Sequence, residues 1–326
     1  MDRPPAVSVV IPTKDRWRLL SGTALPAALG QEDVDFEVIV VDDGSTDETP
    51  ARLAALEATE PRVRTLRHDR SRGVSATRNA GLGAARGEWV AFLDDDDYWS
   101  PRKLAIQLEV ARAESAAFVY VGAVAVDERG RVLYRYYFPD PAHLSLQLLE
   151  SAVVPAGASN VLARNQVLRD LGGFDERLSH LEDWDLWIRL ASAGQAAAVR
   201  DVLVSVLLHS ANNHALHDQS EAVKFLIRKH ASLEPPRTLS VDQRGHARWV
   251  ASQHSRVGMH RRAAWLYLRG ALEYRSAGNV LRAVDALLAK KPSSALLRSR
   301  DELAHPTVPA PPWLANCPYF EKTAAS

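Results

Sequence analysis

Four consecutive carboxylates, Asp94 to Asp97, follow directly on the apolar run Trp89–Leu93. Adjacent carboxylates raise one another's pKa and oppose folding. A bound divalent cation removes that repulsion. Hard cations such as Mg2+ take one or two carboxylate oxygens and complete their shell with water and substrate phosphates. Side chains alternate along extended backbone, so Asp94 and Asp96 can point the same way. The run therefore reads as a site for a metal and a phosphorylated ligand. A charge run is more often a solvated surface, but a buried strand immediately before this one weighs against that.

Two further groups of residues could join this chemistry. Between positions 62 and 86 lie Arg62, Arg64, Arg67, Arg70, Arg72, Arg78 and Arg86, with Asp69 the only acid. Arginine forks suit phosphates, and Arg78, beside Asn79 and Gly81, is singled out among them. A second acidic cluster, Glu182-Asp183-Trp184-Asp185, opens a helical pattern. The helix macrodipole alone favours acids there, and a general base held on a rigid helix start would sit there equally well. The residue pattern leaves both readings open. His209, His214 and His217 fall close together, but loop histidines of this kind read as solvated surface rather than as a metal site.

The elements that must hold these residues follow from periodicity. Val7–Ile11, Phe36–Val41, Val63–Leu66 and Trp89–Leu93 are short apolar runs of strand type. Helical patterns alternate with them over Trp17–Leu29, from a Thr46 cap onward, and over Ser75–Ala85. That order predicts a mixed, mostly parallel sheet flanked by helices, with ligands at the carboxyl ends of the strands. Ser100-Pro101 reads as an N-cap and first helical residue for a helix to Arg112. Beyond it come strands at Phe118–Val126 and Arg131–Phe138, a short helix at Leu144–Leu149, a strand at Ser159–Leu162, a tight turn at Gly172–Asp175 and a strand at Val199–Leu208. From about Ser220 the chain becomes helical and Arg-rich, over 221–232, 242–257, 260–275, 278–289 and 293–304. Trp249, Trp265, Leu268, Leu272, Val280, Val284 and Leu288 are the expected core there. Five prolines follow from Pro306 to Pro318, an extended tail laid over the surface by Trp313, Tyr319 and Phe320.

Bulk properties exclude several classes. A chain of 326 residues has room for two domains. Forty basic and forty acidic residues cancel, so no overall field draws nucleic acid. Cys317 is the only cysteine, which rules out an internal disulfide and a cysteine zinc site. The start, Met-Asp-Arg-Pro-Pro, has no signal-peptide pattern, and no apolar stretch approaches the ~18 residues of a membrane span. A cytoplasmic protein is expected, with peripheral attachment to a membrane left open.

Six motifs in order resemble family 2 glycosyltransferases, inverting enzymes of the GT-A fold: Val-Ser-Val-Val-Ile-Pro-Thr (7–13), Val-Asp-Asp-Gly-Ser-Thr-Asp (41–47), Gly-Val-Ser-Ala-Thr-Arg-Asn-Ala-Gly (73–81), Phe-Leu-Asp-Asp-Asp-Asp (92–97), Gly-Gly-Phe-Asp-Glu (172–176) and Glu-Asp-Trp-Asp-Leu (182–186). The resemblance covers roughly residues 6–215. It implies a GT-A domain at 1–215; the residue pattern, outside the resemblance, adds a helical region at 216–304 and a Pro-rich tail at 305–326. It further implies that Pro12, Thr13, Asp15, Asp43, Arg78, Asp94 and Asp95 bind the donor, a UDP-, GDP- or dTDP-sugar. Asp94 and Asp96 match the two acids of the DxD signature, with Asp96 on Mg2+ or Mn2+ and Asp95 between them. Asp183 matches the catalytic base, with Glu182 and Trp184 beside the acceptor. The acceptor would be a glycan, a lipid-linked sugar or a small molecule. The C-terminal helices would recognise it or form a homodimer. A nucleotidyltransferase on a similar sheet would share the metal acids but would release pyrophosphate from a triphosphate. A non-catalytic sugar-nucleotide-binding scaffold would bind without turnover.

Overall fold

The structure is a computed structural model describing residues 3–209, 219–231, 239, 241, 243–256, 259–273, 275–288 and 309–320. The chain forms two compact units: residues 1–148, 152–208 and 307–326 make the first, and 149–151 with 209–306 the second.

In the first unit, β1 (Val7–Thr13), β2 (Phe36–Asp42), β3 (Val63–Arg67) and β4 (Trp89–Phe92) pair in parallel in the order β3-β2-β1-β4. Helices α1 (Trp17–Gly22), α2 (Ala24–Leu29), α3 (Thr49–Thr59) and α4 (Val74–Ala84) connect them. The chain continues through β5 (Tyr98–Trp99), α5 (Lys103–Ala113), β6 (Phe118–Val126), β7 (Val132–Arg135), α6 (Leu144–Gln147), β8 (Leu162–Arg164), α7 (Asn165–Asp170), α8 (Glu182–Ala193) and β9 (Ala196–Leu207). The sheet of nine strands extends past β4 as β8-β6-β9-β5, with β7 on β6. Strands β8, β5 and β7 run against the other six, so the sheet is mixed and mostly parallel, as expected. Strands β1, β2, β4 and β6 are buried along their whole length, which is why they read as unbroken apolar runs.

Packing above the sheet is close where it positions the site. A Cβ on Gly81 would stand 2.3 Å from Val10 Cγ1, so only glycine lets α4 lie this near β1. Arg78 is carried one turn earlier on the same helix.

Four elements differ from expectation. The helix expected over Trp17–Leu29 breaks at Thr23 (φ −125°, ψ −78°). Pro26 has no N–H to give the Gly22 carbonyl, and that carbonyl takes the Cys317 thiol instead (3.8 Å). Thr46 bonds to Asp15 rather than capping α3, which starts from Glu48. Ser100 does not cap α5, because Tyr98–Trp99 join β9 and Lys103 N–H closes a turn onto Ser100 O (3.0 Å). The strand expected at Ser159–Leu162 begins only at Leu162; Gly157–Asn160 is a 3-10 turn, since Ser159 and Asn160 spend their side chains on neighbouring backbone.

Residues 309–320 of the tail, expected to lie over the surface through Trp313, Tyr319 and Phe320, pack within the first unit, with those three side chains against its core. Tyr98 Oη donates to Asn316 O (3.2 Å), Trp313 Nε1 to Val202 O (3.1 Å), and Leu314 and Cys317 enter the main core. Leu314 is 2% exposed. Leu314→Ala is expected to cost about 2–5 kcal/mol, read as a lower midpoint with unchanged slope in urea unfolding.

The second unit contains α9 (Ser220–Lys229), α10 (Gln243–Arg256), α11 (His260–Glu273) and α12 (Ala277–Leu288). Its packed cluster is Ala251, Ala263, Ala264, Tyr267, Ala283 and Ala286. The expected core residues Trp265, Leu268, Leu272, Val280, Val284 and Leu288 are exposed, Leu272 by 84%. These helices are apolar on two faces, and the small-residue face, which permits closer approach, is the one that packs. The Trp249 side chain and 293–304 lie outside the described residues. No helix among the described residues is long and apolar enough to cross a membrane.

Candidate active site

The four aspartates end β4 in four different environments. Asp94 donates its N–H to Ser159 Oγ (3.0 Å), and its Oδ1 accepts from Arg78 Nη2 (2.5 Å); a third of its side chain stays open. Asp95 accepts from Thr13 Oγ1 (2.7 Å) and Arg16 Nη1 (3.2 Å). Burial, reinforced by the Asp96 charge, pushes its pKa up to about 7 against the pull of Arg16 and Thr13. Asp96 accepts from the same Arg16 nitrogen (3.2 Å). Asp97 is buried, and burial followed by the charges of Asp96 and Asp94 drives its pKa well up.

The repulsion that a metal was expected to relieve is therefore already met in part by Arg16 and Arg78. No cluster of three or more His, Cys, Asp or Glu poised for a metal occurs among the described residues. An ion that keeps substrate phosphates in its shell needs only one or two carboxylates. The oxygen-only donors of Asp94 and Asp96 fit Mg2+ or Mn2+, and an ion held at Asp96 would compete with Arg16 for that carboxylate.

Arg78 joins two distant segments. Its guanidinium, only 4% exposed, bonds Asp94 through Nη2 and Glu182 Oε1 through Nη1 (2.7 Å), and lies 5.2 Å from the Phe174 ring centre. Burial works against its charge, but Asp94 and Glu182 outweigh that and hold its pKa above the usual arginine value.

The acids of α8 reach Arg78 because of the turn before them. Gly172 and Gly173 take φ of 75° and 66°. Asn79, one residue past Arg78, clamps Phe174 from both sides: Oδ1 accepts its N–H (2.8 Å) and Nδ2 donates to its carbonyl (2.9 Å). Arg189 then ties Asp185 to the Leu171 and Gly173 carbonyls. The Gly-Gly-Phe-Asp motif is thus a post between α4 and α8. Leu181 launches α8 from a left-handed conformation (φ 63°).

Asp183 is partly buried, and its Oδ1 accepts the Trp184 N–H (2.7 Å). Burial first, then the Glu182 charge, raises its pKa to about 7, with Arg78 opposing. Trp184, expected beside the acceptor, is 1% exposed and gives its indole N–H to Leu148 O (2.7 Å), supporting α8 from beneath.

The expected donor residues lie at the ends of β1 and β2. Pro12 and Thr13 close β1 and are buried. Asp15 (φ 51°) takes the Thr46 and Asp47 N–H groups on Oδ1, which lowers its pKa and links the two loops. Asp43 receives His68 Nδ1 (2.8 Å), Ser71 Oγ (2.6 Å) and the N–H groups of Arg72 (2.8 Å) and Gly73 (3.0 Å). Burial alone would raise its pKa; these four bonds pull it below the usual carboxylate range. Asp43 therefore shapes the loop that starts α4. His209, expected as a solvated loop residue, is buried directly after β9; His214 and His217 lie outside the described residues.

Sequence reasoning missed Arg16, Ser159 and Gly157. Arg16 had a signal, being the first arginine after the polar end of β1. Ser159 and Gly157 had none, because their partners are 65 and 26 positions away.

Comparison with known proteins places this geometry. The sequence model described as "Glycosyl transferase family 2" matches residues 8–172, just over half the chain. Succinoglycan biosynthesis protein ExoO of Rhizobium meliloti (strain 1021) is 38% identical over 194 residues, covering 54% of this chain and 53% of that protein. The chain thus spans about half the length of that relative. Among solved structures, S. aureus TarS 1–349 in complex with UDP-GlcNAc aligns with a TM-score of 0.60 at 18% identity, over 86% of this chain and 80% of that one. The mannosyltransferase PcManGT from Pyrobaculum calidifontis, in complex with GDP-Man and Mn2+, aligns at 0.50 and 19%, over 99% and 87%. These likenesses are of fold, the GT-A arrangement expected from the motifs. The family match runs from β1 to the turn at Gly172 and takes in every strand that carries the acid tip, so the chain belongs to glycosyl transferase family 2.

Proposed function

We propose that this protein transfers a sugar from a nucleotide-sugar donor to an acceptor hydroxyl, with inversion and with the help of a divalent cation. The observation that carries the reading is the Arg78 bridge. It draws the acid tip of β4 and the start of α8 together, so that Asp183, next in sequence to the bridged Glu182, lies within reach of the Asp94 charge. PcManGT, with GDP-Man and Mn2+, supports a nucleotide sugar and a metal on this fold. ExoO, a succinoglycan biosynthesis protein, supports a role in building a glycan.

Asp94 and Asp96 would hold Mg2+ or Mn2+. When bound, the ion supplies positive charge against the leaving diphosphate. Asp183 takes the proton of the acceptor hydroxyl at a carboxylate oxygen. The acceptor oxygen bonds to the anomeric carbon as the bond from that carbon to the diphosphate breaks on the opposite face. One displacement suffices, and no protein nucleophile is required. With a pKa near 7, Asp183 is ionised often enough to act and basic enough to receive the proton.

The test is incubation with UDP-, GDP- and dTDP-sugars, Mn2+ and a panel of glycan acceptors. Nucleoside diphosphate release that needs acceptor, stops with EDTA and returns with added Mn2+ is expected. Pyrophosphate release from a triphosphate would move the protein to the nucleotidyltransferases. Donor binding without turnover across the panel would leave it a binding scaffold.

A further inference from the structure

One strained turn touches both halves of the site. Ala156 and Gly157 take φ of 57° and 50°, the left-handed region that side chains disfavour. A Cβ on Gly157 would lie 2.8 Å from Asp183 Oδ2, a separation real Cβ atoms essentially never show. Since Oδ1 holds the Trp184 N–H, Oδ2 is the Asp183 oxygen left for chemistry.

The same turn is fixed at its other end. Ser159 Oγ accepts the Asp94 N–H, and Ser159 O accepts Trp99 Nε1 (2.8 Å). Asn160 pairs twice with Val121 on β6, through Oδ1 (2.6 Å) and Nδ2 (2.7 Å). Gln107 Nε2 holds Asn160 O (3.0 Å), and buried Lys103 Nζ in turn holds Gln107 Oε1 (2.8 Å). Five polar contacts, four of them buried, leave this segment little freedom to move.

We infer that Gly157 is a positioning residue for Asp183: only a residue without a side chain lets Oδ2 come this close to the 157–160 turn, and the anchored turn sets that oxygen, the one that meets the acceptor hydroxyl, at a fixed offset from Asp94. The inference rests on Asp183 being the base, as proposed above. A methyl group at Gly157 displaces Oδ2 and changes its solvation. It reaches neither Arg78 nor the Asp43 loop, so turnover changes far more than donor binding.

The experiment compares Gly157→Ala and Asp183→Asn with the parent for kcat, donor KM, nucleotide-induced thermal shift and the pH dependence of kcat. For Gly157→Ala, kcat falls 10- to 100-fold, donor KM and thermal shift stay within twofold of the parent, and the acidic limb of the profile moves. Parent-like kcat overturns the inference. So does a fall in kcat with an unmoved limb, or an effect confined to donor KM. If Gly157→Ala does not fold, Ser159→Ala takes its place. It frees the turn from Asp94 while Arg78 still holds the Asp94 carboxylate, so a severalfold loss of kcat with an unchanged nucleotide shift is expected. An unchanged kcat overturns the inference. Turnover retained by Asp183→Asn would instead remove the base assignment, whatever the turn variants do.

Discussion

Asp183→Asn is expected to lower kcat by about 100- to 10,000-fold, the range for loss of a positioned general base, while nucleotide binding in the presence of Mn2+ persists. The amide has the shape of the carboxylate and can still accept the Trp184 N–H, so α8 keeps its start. It cannot take a proton from the acceptor. The Arg78 bridge to Asp94 and Glu182 is unaffected, and the donor side stays assembled. The parent should lose activity as pH falls through about 7, where Asp183 takes up its proton. The variant's residual rate should lack that limb. Stability should move the other way. The folded pKa lies above the unfolded value of about 3.9, so the group favours the fold below about pH 4 and loses that contribution as pH rises through 7. The variant carries no charge to bury and should melt above the parent at pH 8, with the gap closing toward pH 4. Turnover within tenfold of the parent, with the acidic limb intact, would assign the base elsewhere.

Arg78→Met should give the largest loss of stability of any single change in this site, about 3–5 kcal/mol, typical for removing one partner of a buried ion pair. Methionine keeps much of the apolar stem against Phe174 but leaves Glu182 and Asp94 without their cation. Glu182 contributes most of the penalty, since Asp94 keeps a third of its side chain open and water screens it. Adding Glu182→Gln to Arg78→Met removes the more deeply buried stranded charge and should recover part of the loss. Chemical unfolding of the three proteins decides the matter. A loss below about 1 kcal/mol, or no recovery in the double variant, would mean that the bridge does not hold the two segments together. Because the pair is buried, moderate salt should change the result little.

Much of the first unit was legible because its signals are local. The all-buried strands Val7–Thr13 and Phe36–Asp42 announce themselves as β-branched runs, and the motifs at 41–47, 73–81, 92–97 and 182–186 sit at a strand end or helix start. What escaped depends on partners far along the chain. The break at Thr23 is tied to a cysteine almost three hundred positions on. The Gly157–Asn160 turn is written in side chains that serve Asp94 and Val121. The four crowded acids look unbalanced in sequence for the same reason: their charges are on display, whereas Arg16 reaches them from another loop. In the second unit, helices apolar on two faces offered the alanine stripe and the large-residue stripe alike, and periodicity alone could not choose.

The returning segment 309–320 has a consequence for how this molecule can be cut and rebuilt. Its residues bond to Gly22, Tyr98 and Val202, so residues 209–306 are an insertion within the sequence of the first unit, a cassette flanked on both sides by chain that belongs to that unit. Trimming everything after Leu208 would tear out Leu314 and Cys317 together with the helices and uncover the core behind the acid tip. A swap that respects the architecture replaces the cassette and splices back in before Pro309.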